Sequence, residues 1–200
     1  MTVSLTKFID FVNTSGMPKM KVVEDYLSSG KYEPGKDFYK RFRDAAVDLH
    51  KEDLEVEYLE KVFNSLTDKK KRPHYAELNK GYRTFLKSRK ISWFDPPSVI
   101  CDATGLEISI NPELGLIIGT TPHIVKMYMK QDKLTRSNVN MTITLMEIAL
   151  SDCIDEDTVI TILDVRNGRL YRASAKRDTE KIMMQLELES DYWKKVASKR

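Results

Sequence analysis

The sequence lacks the features that mark secreted, membrane-spanning and disulfide-stabilised proteins. Only two cysteines, Cys101 and Cys153, occur in its 200 residues, and both stand in apolar surroundings. We therefore expect two reduced structural thiols rather than a disulfide or a metal pair. No apolar run approaches the roughly 20 residues that span a bilayer. Residues 1–14 have neither the apolar core nor the cleavage site of a signal peptide, so a cytoplasmic protein without a membrane partner is predicted.

Several motifs that define enzyme classes are also missing. The 8 glycines are scattered, and none opens a helix after a strand with the spacing of a phosphate-binding loop. No serine stands in the Gly-x-Ser-x-Gly elbow of hydrolases. His50, His74 and His123 do not share zinc-ligand spacing with each other or with either cysteine. These absences argue against nucleotide-binding loops, serine hydrolases and zinc sites.

The chain does contain enough apolar residues for a core, and its pattern changes near the middle. Hydrophobic residues make up 41% and charged residues 32% of the sequence. The apolar period is helical before Ser92, whereas alternating and β-branched runs follow it. We interpret residues 1–92 as a helical N-terminal part and residues 93–200 as an α+β part. Both parts are expected to share one core, because Trp93 and Phe94 look like a short aromatic linker pinned against it.

The predicted fold class is α+β, with an N-terminal helical layer followed by a mainly antiparallel sheet, one crossing helix and a C-terminal helix. Five helices are predicted in the first part, over 5–12, 18–29, 38–49, 54–66 and 73–90. Strands are predicted over 98–101, 106–110, 114–118, 123–130, 159–165 and 169–175, and further helices over 138–150 and from 178 onward. Ser4 and Asp178 are expected to cap helices. Asn167-Gly168 predicts the turn of an antiparallel hairpin.

The helix predicted over 73–90 carries the strongest charge asymmetry in the chain. Lys80, Arg83, Lys87 and Lys90 recur at helical spacing opposite an apolar stripe, and Lys69, Lys70, Lys71 and Arg72 precede them. Nine basic and two acidic residues lie between positions 66 and 92, a balance of +7 in a chain of net charge +3. Lysines and arginines so concentrated bind phosphates. We therefore expect a binding or regulatory protein that engages nucleic acid or another polyanion; a solvated helix face is the alternative.

The order of a helix, a meander of strands, a helix and a further strand over residues 73–175 resembles the core of the PD-(D/E)XK nuclease-like superfamily. That resemblance implies an acidic residue on the second strand and a Glu-x-Lys on the third, which hold a divalent metal and a water. Lys126 stands where the family lysine would be, and Glu107 or Glu113 is the upstream acid. Ile124 replaces the glutamate two residues before Lys126, so one metal ligand is missing. No cofactor is predicted unless the nuclease interpretation holds, in which case it is Mg²⁺.

Two further alternatives concern partners and the face of one strand. A protein-interaction or assembly subunit, including a homo-oligomer, would use a methionine-rich face, since methionines suit adaptable interfaces as well as cores. The methionines concerned are Met127, Met129, Met141, Met146, Met183 and Met184. Lys126, Tyr128 and Lys130 share one face of a predicted strand. This face is expected to be the solvated side of an antiparallel sheet, with a functional site as the alternative.

Overall fold

A computed structural model describes residues 2–30, 35, 37–87 and 89–199 of the chain. The fold is α+β, as predicted from the sequence. The helices of the described residues are α1 (Leu5–Asn13), α2 (Met17–Ser28), α3 (Lys40–Lys51), α4 (Glu57–Asn64), α5 (Lys71–Leu86), α6 (Arg136–Leu150) and α7 (Thr179–Ala197). The strands are β1 (Val3–Ser4), β2 (Ile91–Phe94), β3 (Val99–Cys101), β4 (Ile108–Ile110), β5 (Leu114–Ile118), β6 (Thr121–Tyr128), β7 (Val159–Asp164) and β8 (Arg169–Tyr171).

The strands form a five-stranded and a three-stranded sheet. In the larger sheet the order is β2-β5-β6-β7-β8, and every neighbouring pair is antiparallel except β6 and β7. The connection between these two parallel strands contains α6, since parallel strands need a crossover. In the smaller sheet, β4 pairs with β3 and, in parallel, with β1 from the start of the chain. Two strands, β1 and β2, therefore begin before residue 93, within the part predicted to be helical.

The larger sheet separates two layers of helices, and alternate residues of each strand face one layer or the other. On β6, Ile124 packs into a cluster built with α1, α2, α6 and α7. Its neighbour Val125 packs into a second cluster built with α3, α4 and α5. Residues from both halves of the sequence contribute to both clusters. Lys126, Tyr128 and Lys130 line a space together with residues of α1 and α6, and Lys130 pairs with Asp10 of α1. Helices therefore cover this face, and it is not the open solvated face predicted from the sequence.

Local capping signals correctly predict the N-termini of α1 and α7, whereas the ends of α5 differ from the prediction. The Ser4 side chain accepts the backbone N–H of Lys7 at 3.3 Å, and Asp178 accepts that of Lys181 at 3.0 Å. Both predicted N-caps are confirmed. The basic helix α5 begins two residues earlier and ends four residues earlier than predicted, at Lys71 and Leu86. Lys87 is consequently the C-cap residue, and Lys90 lies beyond the helix.

Three other details differ from the sequence predictions. Trp93 and Phe94 belong to β2 rather than to a linker, and they are half-buried on opposite faces of the sheet. The β7–β8 hairpin is antiparallel as predicted, but Asp164 pairs with Arg169, so the loop spans 165–168 and not Asn167-Gly168 alone. Among the methionines, Met127, Met129, Met141 and Met146 are buried, and Met184 is exposed. The buried four fill the core and do not form a face for a partner.

Candidate functional site

Glu113 and Lys126 form the most enclosed ion pair that joins two strands of the larger sheet. The Lys126 Nζ lies 2.6 Å from Oε1 of Glu113, and the two side chains are 12% and 10% exposed. Because Leu114 pairs with Val125, the residue before β5 falls opposite Lys126 in the antiparallel register. Directly opposed residues of opposite charge are close enough to pair. The structure thus brings together two of the three residues predicted from the nuclease-like resemblance.

The remaining polar atoms of this pair are also satisfied. Oε2 of Glu113 accepts the backbone N–H of Met127 at 2.8 Å, and Lys126 Nζ donates to the carbonyl of Asn111 at 3.0 Å. Pro112 follows Asn111 and interrupts the ladder, because proline has no N–H to donate. The Glu113 carboxylate therefore holds β6 at the point where its backbone pairing with β5 stops. Both of its oxygens are engaged by the fold.

The other predicted members of the metal site lie in different surroundings. Glu107 precedes β4 of the smaller sheet, where its Oε2 accepts the Thr2 hydroxyl at 3.1 Å. This hydrogen bond holds the pKa of Glu107 below its usual value. Ile124 is fully buried in the core. Within residues 2–30, 35, 37–87 and 89–199, no group of three or more His, Cys, Asp or Glu side chains is placed to hold a metal ion.

A groove of about 740 Å³ opens beside this pair, between α3 and the ends of β2 and β6. Each cation that lines the groove has an acidic partner. Lys126 lies 2.6 Å from Glu113, and Arg43 lies 2.6 Å from Asp37. Lys51 lies 3.4 Å from Asp95, and Lys130 pairs with Asp10. The groove is therefore electrically balanced. Sequence reasoning missed Asp10, Asp37 and Arg43, because nothing in the local pattern says which helix covers the end of β6.

The basic helix α5 is held by its apolar stripe and exposes its lysines. Tyr75, Leu78, Tyr82 and Phe85 are at most 1% exposed. We define the basic surface as the exposed lysines of this segment that have no ion-pair partner in the described part of the chain: Lys69, Lys70, Lys80, Lys87 and Lys90. Lys80 and Lys87 are two turns apart, about 10 Å along the axis, and share one face. These five side chains are free to meet an anionic partner.

The other three predicted basic residues are engaged within the fold. Arg83 pairs with Glu60 on α4. Lys71 lies over the ring of Phe38, and Arg72 over the ring of Phe63, each 5.5 Å from the ring centroid. Neither acid of this segment forms an ion pair with the lysines of the basic surface. Glu77 pairs with Arg166, and the Asp68 carboxylate accepts the backbone N–H of Lys70 at 2.8 Å.

No protein-family model and no curated protein matches the chain. Across the part of the chain that the structure describes, no helix has the length and apolar character to cross a bilayer.

Proposed function

We propose that the protein binds nucleic acid through the basic surface, on a nuclease-like core that does not itself cleave its ligand. The observation that carries this proposal is the exposure of Lys69, Lys70, Lys80, Lys87 and Lys90 without acidic partners. Lysines that neutralise phosphates displace the counterions condensed on the nucleic acid, and the release of these ions drives binding. A lysine that already has a carboxylate partner gains less, because it must give up that partner first.

The contrast with the groove favours the basic surface as the binding region. Every cation lining the groove is paired, whereas the basic surface carries five positive charges with no carboxylate at pairing distance among the described residues. Its lysines span α5 from before its first residue to beyond its last. One nucleic-acid strand in a duplex carries a phosphate about every 3.4 Å of axis, so a surface two turns long meets several phosphates.

The order of elements supports the nuclease-like part of the proposal. α5 is followed by β2, β5 and β6 as antiparallel neighbours, then by α6 and the parallel strand β7. This is the helix, three-strand, helix, strand order of the resemblance, with β3 and β4 inserted after β2. Glu113 directly precedes the second strand of that order, and Lys126 lies on the third. This position of the pair supports the comparison with the family's acid and lysine.

A salt titration of the parent protein and two triple lysine-to-glutamine variants tests the proposal. Changing Lys80, Lys87 and Lys90 together to glutamine should weaken binding to DNA and RNA and flatten the salt dependence. The slope of log Kd against log salt should fall by about 2 to 3, one unit or slightly less per lost phosphate contact. The matched control changes Lys21, Lys176 and Lys181, which are exposed and likewise unpaired among described residues, to glutamine. It removes the same charge and should keep the slope.

Two results would overturn the proposal. One is the absence of binding to any nucleic acid by the parent protein at low salt. The other is an equal loss of slope in both triple variants, which would assign the effect to net charge alone. Binding to heparin with the same affinity as to nucleic acid would assign the surface to polyanions in general.

A second candidate function is metal-dependent phosphodiester hydrolysis at the Glu113–Lys126 pair. The specific observation in its favour is that Lys126 Nζ lies 2.6 Å from Oε1 of Glu113. In the resembled family the acid holds a metal and the lysine orients the attacking water. One carboxylate with both oxygens already engaged is a weak magnesium site, because Mg²⁺ dehydrates reluctantly and needs well-placed ligands. We therefore rank hydrolysis second.

A further inference from the structure

A separate cavity of about 380 Å³ lies where the end of α3, the end of α5 and the start of β2 meet. Its volume falls in the range of about 300–1,000 Å³ typical of small-molecule sites. It is lined by Leu86, the last residue of α5, by Arg89, and by His50 and Leu54. Trp93 of β2 forms part of the wall. The cavity is thus built from three elements that the core holds in place.

The lining combines apolar and aromatic side chains with two charged ones, Asp53 and Arg89. Leu54 is 38% exposed and lies at this cavity. Trp93 is half-buried and packs on the cluster of α3, α4 and α5. Burial lowers the pKa of His50 to about 4, so its ring is neutral near pH 7. A flat uncharged ring would cover Leu54 and gain contact with the indole.

Arg89 is fixed beside this apolar surface. Its guanidinium lies 5.0 Å from the centroid of the Phe85 ring, and it donates a hydrogen bond to the Phe85 carbonyl. In sequence it stands between Lys87 and Lys90, both members of the basic surface. An aromatic and apolar cavity therefore opens at the C-terminal end of the lysines that we assign to phosphate binding.

From this juxtaposition we propose that the cavity takes one unpaired base of a single-stranded nucleic acid whose phosphates lie on the basic surface. The inference rests on the proposed function and narrows it to single strands. A base within a duplex is stacked on both faces and paired along its edge, so it cannot enter this cavity. A flipped or unpaired base stacks on aromatic side chains, while the adjoining lysines and Arg89 hold its phosphates.

Three probes of equal length test the inference: a single strand with bases, the same strand built of abasic units, and a duplex. The parent protein should bind the base-bearing single strand about tenfold or more tightly than either of the others, which is the range measured for loss of one stacked base. Trp93→Leu and Leu54→Gln should each remove most of that preference. Lys87→Gln is the matched control, and it should weaken all three probes by a similar factor. Circular dichroism confirms that each variant is folded.

A second measurement does not depend on polyanion binding. Trp193 is fully buried, so quenching of tryptophan fluorescence by millimolar AMP should report Trp93 and should be lost in Leu54→Gln. Equal affinity for base-bearing and abasic strands, or no quenching by AMP, would overturn the inference and leave the lysine surface intact. Loss of all nucleic-acid binding with AMP quenching preserved would overturn the proposed function instead.

Discussion

Glu113 and Lys126 face each other across the sheet at the point where Pro112 ends the β5–β6 ladder. The Nζ–Oε1 distance is 2.6 Å, and the second carboxylate oxygen replaces a backbone acceptor for Met127. The pair therefore has a structural task whether or not it has a chemical one. An ion pair with little exposure costs desolvation, and it persists because its members satisfy each other.

Replacing one member of this pair should lower the free energy of unfolding much more than replacing both members. Lys126→Met leaves the Glu113 carboxylate without its cation, and we expect a loss of about 3 kcal/mol in the free energy of unfolding. The double variant with Glu113→Gln should recover a large part of that loss. Urea denaturation of the two single variants and the double variant measures the coupling. Strictly additive losses would show that the pair contributes nothing to stability.

Gly81 is required by close backbone packing and not by helix flexibility. A Cβ at this position would lie 2.0 Å from the Val165 carbonyl oxygen and 2.3 Å from that of Arg166. Alanine gains about 1 kcal/mol of helix propensity over glycine, but backbone cannot move aside cheaply. Gly81→Ala should therefore lower the free energy of unfolding by about 2 kcal/mol. Ala76→Gly, at an exposed site of the same helix, isolates the propensity term, and a stabilised Gly81→Ala would contradict the packing argument.

Features encoded by neighbouring residues were predictable, and those set by distant pairing were not. The caps Ser4 and Asp178 follow from local hydrogen bonds, and β5 was predicted with its observed bounds. The sequence does not show which of Glu107 and Glu113 lies beside Lys126, because Glu107 precedes β4, which belongs to the smaller sheet. In that sheet β4 pairs with β1, and Val3 lies opposite Ile108, more than a hundred residues away in sequence.

The basic surface and the cavity also differ in whether neighbouring residues predict them. The basic surface was visible in the sequence because helical spacing alone groups Lys80 with Lys87. The cavity beside it was not visible, since it needs the end of α3 to approach Trp93. From the local pattern alone, Trp93 is predicted to lie in a linker. Its ladder pairing with Leu116 is a long-range contact that local pattern does not reveal.

His50 should make stability depend on pH below neutrality. Its Nε2 lies 2.8 Å from the Tyr82 hydroxyl, and burial lowers its pKa to about 4, against about 6.5 in an unfolded chain. Between these values the unfolded state binds more protons. The free energy of unfolding should therefore fall as pH drops from about 6.5 to about 4, by up to about 3 kcal/mol. Burial and the charge of Arg172 lower the pKa of His123 in the same direction.

Urea midpoints at pH 7.5, 6 and 5 measure this dependence. His50→Gln keeps a partner for Tyr82 but does not titrate in this range, so its midpoint should change less with pH than that of the parent. His123 remains in both proteins and accounts for the shared part of the slope. Identical pH profiles for the parent and His50→Gln would assign the acid sensitivity to other groups.

Metal-dependent cleavage provides the last test, and we predict that this chain alone shows none of substantial rate. Mg²⁺ dehydrates reluctantly, and protein sites hold it through one or two carboxylates whose oxygens are free to bind, together with substrate phosphates. Glu113 is engaged by Lys126 and by the Met127 N–H, Ile124 is apolar, and Glu107 contacts Thr2. Plasmid, linear and single-stranded substrates should survive incubation in Mg²⁺ or Mn²⁺. Cleavage that disappears in both Glu113→Ala and Lys126→Ala, with each variant shown to be folded, would instead make hydrolysis the leading function.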